Sequence, residues 1–512
     1  MNMNKFFRIL LVALLASVSV VSCDPPLEDP VENTGNNGGG GDSPSRPSQP
    51  TSSVPEEIQQ ADQFAINTLG VYYLWNKEIN SDLDKLAPTK CMDPVEVVKQ
   101  IRYHENGKEV DHWTVLTKDL ESMTSSVEGL GLSFGYDLTG MWVDETQTSL
   151  VFIVNYVAKD KPAAKAGLKR GDIIWTLNGQ SITMNNYSDL FYASSVTLQV
   201  QHGLESKELE TVSMEANNDW EDPVLLDTTY SVGDKKVGYL VYNSFDIKTM
   251  ETLPEVFRKF KKEGIEELIL DLRYNGGGFV KTECELASMI APFANVVNND
   301  VYQTEVHNEI LTEAWKNQMD FNTYFSTSFE YKDANGKYDI NEDISDANVD
   351  LKKLYVIVTG GSASASEGLI VGLGPYMDIT LIGGKTYGKY CSGYMLSPKD
   401  VYGSSSQFDY SKIGNWGIYV MISKFADKDG NNSAIPDGIP VDIEVKDDVL
   451  DGFQFGDENE TMLKAALKAA GKADTRGTVG HSNPFGAEFV SHIAPKGILI
   501  NELPDLPNFP IQ

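Results

Sequence analysis

The chain has 512 residues, with 74 Asp and Glu against 42 Lys and Arg, for a formal net charge of -32 at pH 7. That length exceeds one compact core and predicts about three folded units of ~100–200 residues. So negative a charge excludes a general polyanion-binding surface, and nucleic acid is not an expected partner.

The first 22 residues carry Lys5 and Arg8, then an apolar run from Ile9 to Val21, and Cys23 follows. A basic start before such a run predicts a secretory signal, and the run is shorter than the ~20 residues that span a bilayer. Val20-Val21-Ser22-Cys23 resembles the lipobox of bacterial lipoproteins, the alternative being an ordinary cleaved signal. The resemblance implies a lipoprotein signal peptide over 1–22 and a lipidated Cys23. The mature chain would then be anchored in the cell envelope, facing the periplasm or the cell surface, because paired acyl chains hold where one does not. Residues 23–55, rich in Pro, Gly, Asn and Ser with Gly38 to Gly41, predict a flexible tether.

Over 56–126 apolar residues recur at helical spacing, as in Phe64, Leu69, Tyr73 and Leu74, then Val95, Val98 and Ile101. They predict a small N-terminal helical domain. Cys91, Cys284 and Cys391 cannot all pair with one another, and no two are spaced as a metal knuckle or redox pair. No metal and no cofactor is expected.

Residues 127–215 change to short β-rich runs, Leu150 to Val154, Ile173 to Leu177 and Val196 to Val200. Gly129-Leu130-Gly131-Leu132, Pro162 to Leu168, Arg170-Gly171-Asp172-Ile173-Ile174 and Asn178-Gly179 are turn signals when read singly. In this order they resemble a PDZ domain. The resemblance implies that a C-terminal peptide adds as a strand to a sheet edge, with N–H groups of Gly129, Leu130, Gly131 and Leu132 holding its carboxylate.

After a hinge predicted near 227–235, residues 228–470 alternate strand and helix. Strands are predicted at Val237 to Val241, Glu267 to Leu272, Leu354 to Val358 and Thr380 to Ile382, and helices at Leu253 to Lys262, Val280 to Ala291 and Ser364 to Gly374. The alternation predicts an α/β layer with a largely parallel sheet, so the whole chain is multidomain α/β. Residues 293–353 interrupt it as an inserted segment with a hairpin turn at Asn335-Gly336. Two later strands, Ile418 to Ser423 and Val441 to Val445, precede a helix at Glu460 to Ala470, and 471–512 is an unpatterned tail.

None of the six histidines adjoins a strand-turn-helix serine or forms a His-Glu-x-x-His pair, so a serine-histidine triad or zinc peptidase has no local support. Gly361-Ser362-Ala363-Ser364-Ala365-Ser366-Glu367 lies between a buried strand and an apolar helix. By itself it reads first as a Ser-rich N-cap. A serine there also meets free N–H groups and the positive end of a helix dipole. Gly384-Lys385-Thr386-Tyr387-Gly388-Lys389 follows, and upstream Asp271-Leu272-Arg273-Tyr274-Asn275-Gly276-Gly277-Gly278 lacks the Gly-Lys-Ser/Thr ending of a phosphate loop.

Together with Ile439-Pro440-Val441-Asp442-Ile443-Glu444-Val445, these motifs resemble the C-terminal processing (tail-specific) serine proteases, peptidase family S41. The resemblance implies a ClpP/crotonase-like core, Ser364 as nucleophile and Lys389 as its base, with Lys385 the rival lysine. It also implies an oxyanion hole formed by Gly276 or Gly277 together with Ala365. Burial is what lets a lysine lose its proton near neutral pH. Many relatives carry a glutamine four residues after the lysine, where this chain has Gly393. The orienting contact must therefore come from elsewhere or be absent, with Glu367, Ser392 and Tyr394 as the candidates. The implied function is an endopeptidase that captures exposed C-termini of proteins or peptides and cuts through an acyl-enzyme without metal or nucleotide. A catalytically inactive peptide-binding lipoprotein is the alternative.

Overall fold

The computed structural model describes residues 53–121, 123, 132–143, 145–332, 338–389, 391–403, 408–432, 437–473 and 484–489. The signal, Cys23, most of the tether and Gly129, Leu130 and Gly131 lie outside the described residues.

Helices α1 (Glu56–Tyr72) and α2 (Pro94–Ile101) and the short strand β1 (Val115–Thr117) open the chain. α2 begins where Asp93 accepts the Glu96 N–H at 3.2 Å and Pro94 occupies the first turn, both ordinary helix-start devices. Phe64, Leu69, Tyr73, Val98 and Ile101 bury against Leu396, Ile418, Val420 and Ile422 from far along the chain. The helices thus share the core of a later sheet. They form a layer over it, with no separate core of their own, because their short apolar faces need that sheet to cover them.

The β-rich unit contains β2 (Tyr136–Trp142), β3 (Leu150–Val157), β4 (Ile173–Leu177), β5 (Ser195–Gln201) and β6 (Glu210–Glu215). These strands follow one another in that order across a single sheet, each antiparallel to the next. Phe152, Val154, Ile174, Leu198 and Val200 form its core.

The elements that follow include β7 (Val224–Val232), β8 (Lys235–Tyr242), α3 (Thr249–Glu263), β9 (Glu267–Asp271), α4 (Val280–Ile290), β10 (Val301–His307), β11 (Asn322–Tyr324), β12 (Ser328–Lys332) and β13 (Asp339–Asp343). After them come β14 (Lys353–Val358), α5 (Ala365–Leu373), β15 (Asp378–Gly383), β16 (Cys391–Leu396), β17 (Gly417–Asp427), β18 (Ile443–Glu444), α6 (Thr461–Ala469) and β19 (Glu488–Phe489). A six-stranded sheet runs β7-β8-β9-β14-β15-β18, parallel except where β7 meets β8. Helices cover both of its faces, so β14 reads as an unbroken apolar run, Leu354 to Val358.

Two expectations change. The hinge near 227–235 is a β7-β8 hairpin, Asp227 to Val232 pairing with Leu240 to Lys235 around a turn at Gly233-Asp234. The 293–353 insertion is structural in part, since β10 pairs with β17 inside a second, antiparallel sheet in the order β11-β10-β17-β16, to which β1 adds on β17. Asn335-Gly336 lies outside the described residues, between the paired strands β12 and β13.

Candidate active site

β9 and β14 lie side by side, and each leads through a turn into a helix, α4 and α5 respectively. The turns are laced together. Leu272 N donates to Ile357 O at 2.9 Å, Ala363 N to Asn275 O at 3.1 Å, and Thr359 Oγ1 to Arg273 O.

Three buried serines share the second turn but differ in their bonding. Ser362 Oγ donates to Leu272 O at 2.7 Å and accepts from Thr359 N, while Ser366 Oγ donates to Asn275 O at 2.9 Å. Ser364 Oγ has no hydrogen-bond partner among the described residues. Its backbone stands at φ 62° and ψ -117°, a conformation that costs a non-glycine residue ~1–3 kcal/mol. Ser364 and Glu367 have the arrangement of a capping box at the start of α5, yet no first-turn N–H reaches Ser364 Oγ with hydrogen-bond geometry, which leaves the hydroxyl available.

Gly277 approaches from the neighbouring turn with φ 109°, and a Cβ on it would lie 2.6 Å from Ser364 Cβ and 3.0 Å from Ala365 N. Only glycine fits there. Of the two glycines named from the sequence as alternative N–H donors, Gly277 donates to Asn275 Oδ1 at 2.8 Å, and Asn275 Nδ2 in turn donates to Tyr242 O. That geometry directs the Gly277 N–H into the turn, whereas Ala365 N is the first amide of α5 and so belongs to the helix's orphan donors.

Glu367, fully buried, joins the nucleophile turn to the lysine segment. Oε2 accepts from Ser364 N at 3.1 Å and Lys389 N at 2.7 Å, and Oε1 accepts from Thr386 Oγ1 at 2.6 Å and Gly388 N at 2.8 Å. Burial raises its pKa, and those four donors offset only part of the rise. Thr386 also receives the Ile439 N–H at 2.7 Å, which ties in the late Ile439-Pro440 motif.

Lys389 is 1% exposed, and its Nζ lies 5.3 Å from the Trp113 ring centre and 5.7 Å from that of Tyr419. Burial lowers its pKa from 10.5 to about 8, against the opposing pull of Cys391, Asp111 and Glu367. Lys385 is exposed. Trp113 is held from below by Asp111, which accepts the Trp113 and Thr114 N–H groups and the Tyr73 hydroxyl, the last at 2.7 Å. Sequence reasoning missed both rings and Asp111. Its only trace of them is a tryptophan inside the otherwise polar stretch around Asp111 and His112.

At Gly393, where many relatives have glutamine, a Cβ would lie 2.5 Å from Met421 Cε and 2.7 Å from Tyr419 Cζ. The space for a longer side chain is filled by those two residues. Ser392 pairs through its hydroxyl with Ser423 at 2.8 Å, and Ser423 bonds Glu305 at 2.9 Å. Tyr394 is buried in the second sheet's core. Of the three expected supports, Glu367 bonds Lys389 through the lysine's main-chain N–H at 2.7 Å.

In the β-rich unit, Leu132 is 53% exposed and Ser133 bridges Asn217, immediately before β2. A further set of buried groups lies where this unit meets the core. Arg170 contacts Asp447 at 2.5 Å and Tyr274 OH at 2.7 Å, and Arg273 contacts Asp271, Asp447 and Glu460 at 2.6, 3.1 and 2.7 Å.

Residues 236–445 match the model of Peptidase family S41, and residues 153–202 match that of the PDZ domain. The "Probable CtpA-like serine protease" of Staphylococcus aureus (strain COL) is 25% identical over 347 residues, and its namesake in Staphylococcus epidermidis is 24% identical over 259. The first of these alignments spans 65% of this chain and 58% of the relative, so the chain matches less than two thirds of that protein's length. The crystal structure of a Bacteroides fragilis NCTC 9343 chain assigned to the S41 proteases superposes with a TM-score of 0.59 at 24% identity, covering 80% of this chain and 96% of that one. That likeness is one of fold.

Proposed function

We propose, for a chain that carries a peptidase family S41 domain and a PDZ domain, that it is a serine endopeptidase of the C-terminal processing type, with a Ser364/Lys389 dyad and a ClpP/crotonase-like core. The observation that carries the reading is Ser364 itself. Its hydroxyl alone of three neighbouring serines is unbonded, on a strained turn at a helix start, and Glu367 holds its main chain and that of Lys389 on one oxygen.

In the proposed reaction, neutral Lys389 takes the proton of Ser364 Oγ as that oxygen attacks a peptide carbonyl. Ala365 N–H and Gly276 N–H receive the oxyanion, each such donor contributing ~2.7–4 kcal/mol in other proteases. The lysine then protonates the leaving amine, and water hydrolyses the acyl-enzyme. Trp113 and Tyr419 take over the positioning that glutamine provides in relatives, because they wall the lysine where Gly393 leaves no side chain. The PDZ domain captures substrate C-termini along β2, with Gly129, Leu130, Gly131 and Leu132 as the carboxylate loop. The chain works in the cell envelope, anchored through a lipidated Cys23.

The test is covalent. Ser364→Ala should abolish both fluorophosphonate labelling and cleavage of a tailed substrate, with the fold retained. Ser366→Ala should still cleave. Ser362→Ala should cleave but lose ~1–3 kcal/mol of stability, because it leaves Thr359 N without its acceptor and takes one of two donors from Leu272 O. Absence of labelling in the parent chain, or labelling that survives Ser364→Ala, would overturn the dyad in favour of the noncatalytic peptide-binding reading.

A further inference from the structure

The far end of the chain returns to the PDZ sheet. β19 lies on the side of β2 that β3 leaves open, with Glu488 opposite Met141 and Phe489 opposite Gly140, antiparallel. Gly486 N donates to Trp142 O at 2.8 Å, and Trp142 N donates to Ala487 O at 3.1 Å. Phe485 anchors the segment. Its ring meets that of Trp175 edge-on at 5.8 Å, beside Met141, Ile153 and Leu450.

Direction matters as much as contact. β2 starts just after Leu132 and Ser133, so a peptide whose carboxylate rests on the 129–132 loop must run antiparallel to β2, its C-terminus toward Tyr136. β19 runs that way, from Trp142 toward Gly140. A sheet edge accepts one strand at a time, since each outward N–H and C=O of β2 has one partner position in the ladder.

We propose that residues 484–489 are an internal competitor on the PDZ edge, and that the partner able to displace them is an extended peptide with a large apolar side chain that takes the Phe485 position. This rests on the reading of the PDZ domain as a peptide-capture module. Capture is then coupled to release of the chain's own segment. The apparent affinity for peptide is the intrinsic affinity reduced by the fraction of molecules whose edge is free.

The experiment uses the full chain with Ser364→Ala, to prevent cleavage, and a fluorescein-labelled peptide of about twelve residues with a free carboxylate and one internal phenylalanine. At a rise of ~3.4 Å per residue such a peptide reaches from the loop past Trp142. Anisotropy titration is compared with and without Phe485→Ala plus Gly486→Pro, which remove the anchor and the Trp142 bond. Tighter binding by the double variant, about tenfold, is the expected result. Equal affinity overturns the competition while leaving capture intact, and binding by neither protein overturns the capture reading and the competition with it. Hydrogen exchange supplies a readout that needs no change in the segment. Saturating peptide should expose the amides of Phe485 to Phe489 while the Trp142 amide stays protected, and unchanged protection over Phe485 to Phe489 sinks the proposal.

Discussion

The N-terminal layer meets the S41-matching core through rings and aliphatic side chains, whereas the PDZ-matching unit meets it through buried charge. At the first joint, Tyr73, Trp113, Tyr419 and Met421 share one apolar cluster, with the Trp113 and Tyr419 rings against Lys389 Nζ, and Leu74 N bonds Met421 O at 2.9 Å. At the second, Arg170 and Arg273 share Asp447, with Asp271, Glu460 and Tyr274 completing the set. An apolar joint stabilises in proportion to the area it buries and sets the solvation of whatever it encloses. A charged joint holds only when every partner is present, because one missing group leaves the others desolvated and unpaired. The first joint should therefore govern the proton affinity of Lys389, and the second the integrity of the turn that begins at Arg273.

The largest expected effect comes from the lysine that the apolar joint encloses. Lys389→Ala should lower kcat by ~10²–10⁴, the usual contribution of a positioned base. Lys389→Arg should be equally inactive, because arginine keeps its proton, while the exposed Lys385→Ala should act nearly as the parent. In the parent, kcat/KM should rise with pH as the amine, held at about 8 by burial, gives up its proton. A parent profile that is flat from pH 7 to 9 would remove lysine from the base role.

Arg170→Ala tests the charged joint. It strips Asp447 and Tyr274 OH of a buried partner, and loss of ~3–5 kcal/mol in urea unfolding is expected. The pH limb of any remaining activity should stay where it was. Movement of that limb would show that the two joints are not separable.

Trp113→Ala tests the apolar joint and should do the opposite. Opening Lys389 to water relieves the burial that lowers its pKa, and losing the ring removes a cation–π contact that raises it. Burial is the larger influence, so the limb should move to higher pH, by about one unit, which is ~1.4 kcal/mol. Trp113→Phe should restore most of it. The smallest effect belongs to Ser392→Ala, which removes one hydroxyl pair with Ser423. It should cost ~1 kcal/mol of stability without moving the limb, and a shifted limb would return Ser392 to the lysine's support.

The sequence by itself determined what depends on neighbours along the chain. The strand-helix alternation from Val237 to Gly374 appears within a few residues of its expected bounds, since apolar runs and glycine turns act locally. The turns at Gly276 to Gly278 and Gly361 to Ser366 could be located for the same reason, and family motifs distinguished Ser364 from its neighbours. Tertiary structure decided what depends on approach in space. Gly277 is required by Ser364 Cβ, 87 positions later in the sequence, and Glu367 gathers donors from a segment some twenty residues on. The 293–353 stretch shows no local reason to supply β10, whose pairing with β17 spans more than a hundred residues. Trp113 becomes a wall of the lysine pocket, and Phe485 a wedge on the PDZ sheet, only when distant strands bring Lys389 and Trp175 to them. A side chain's type and its immediate neighbours say whether it can be buried, but which charge or ring it is buried against is set by long-range packing.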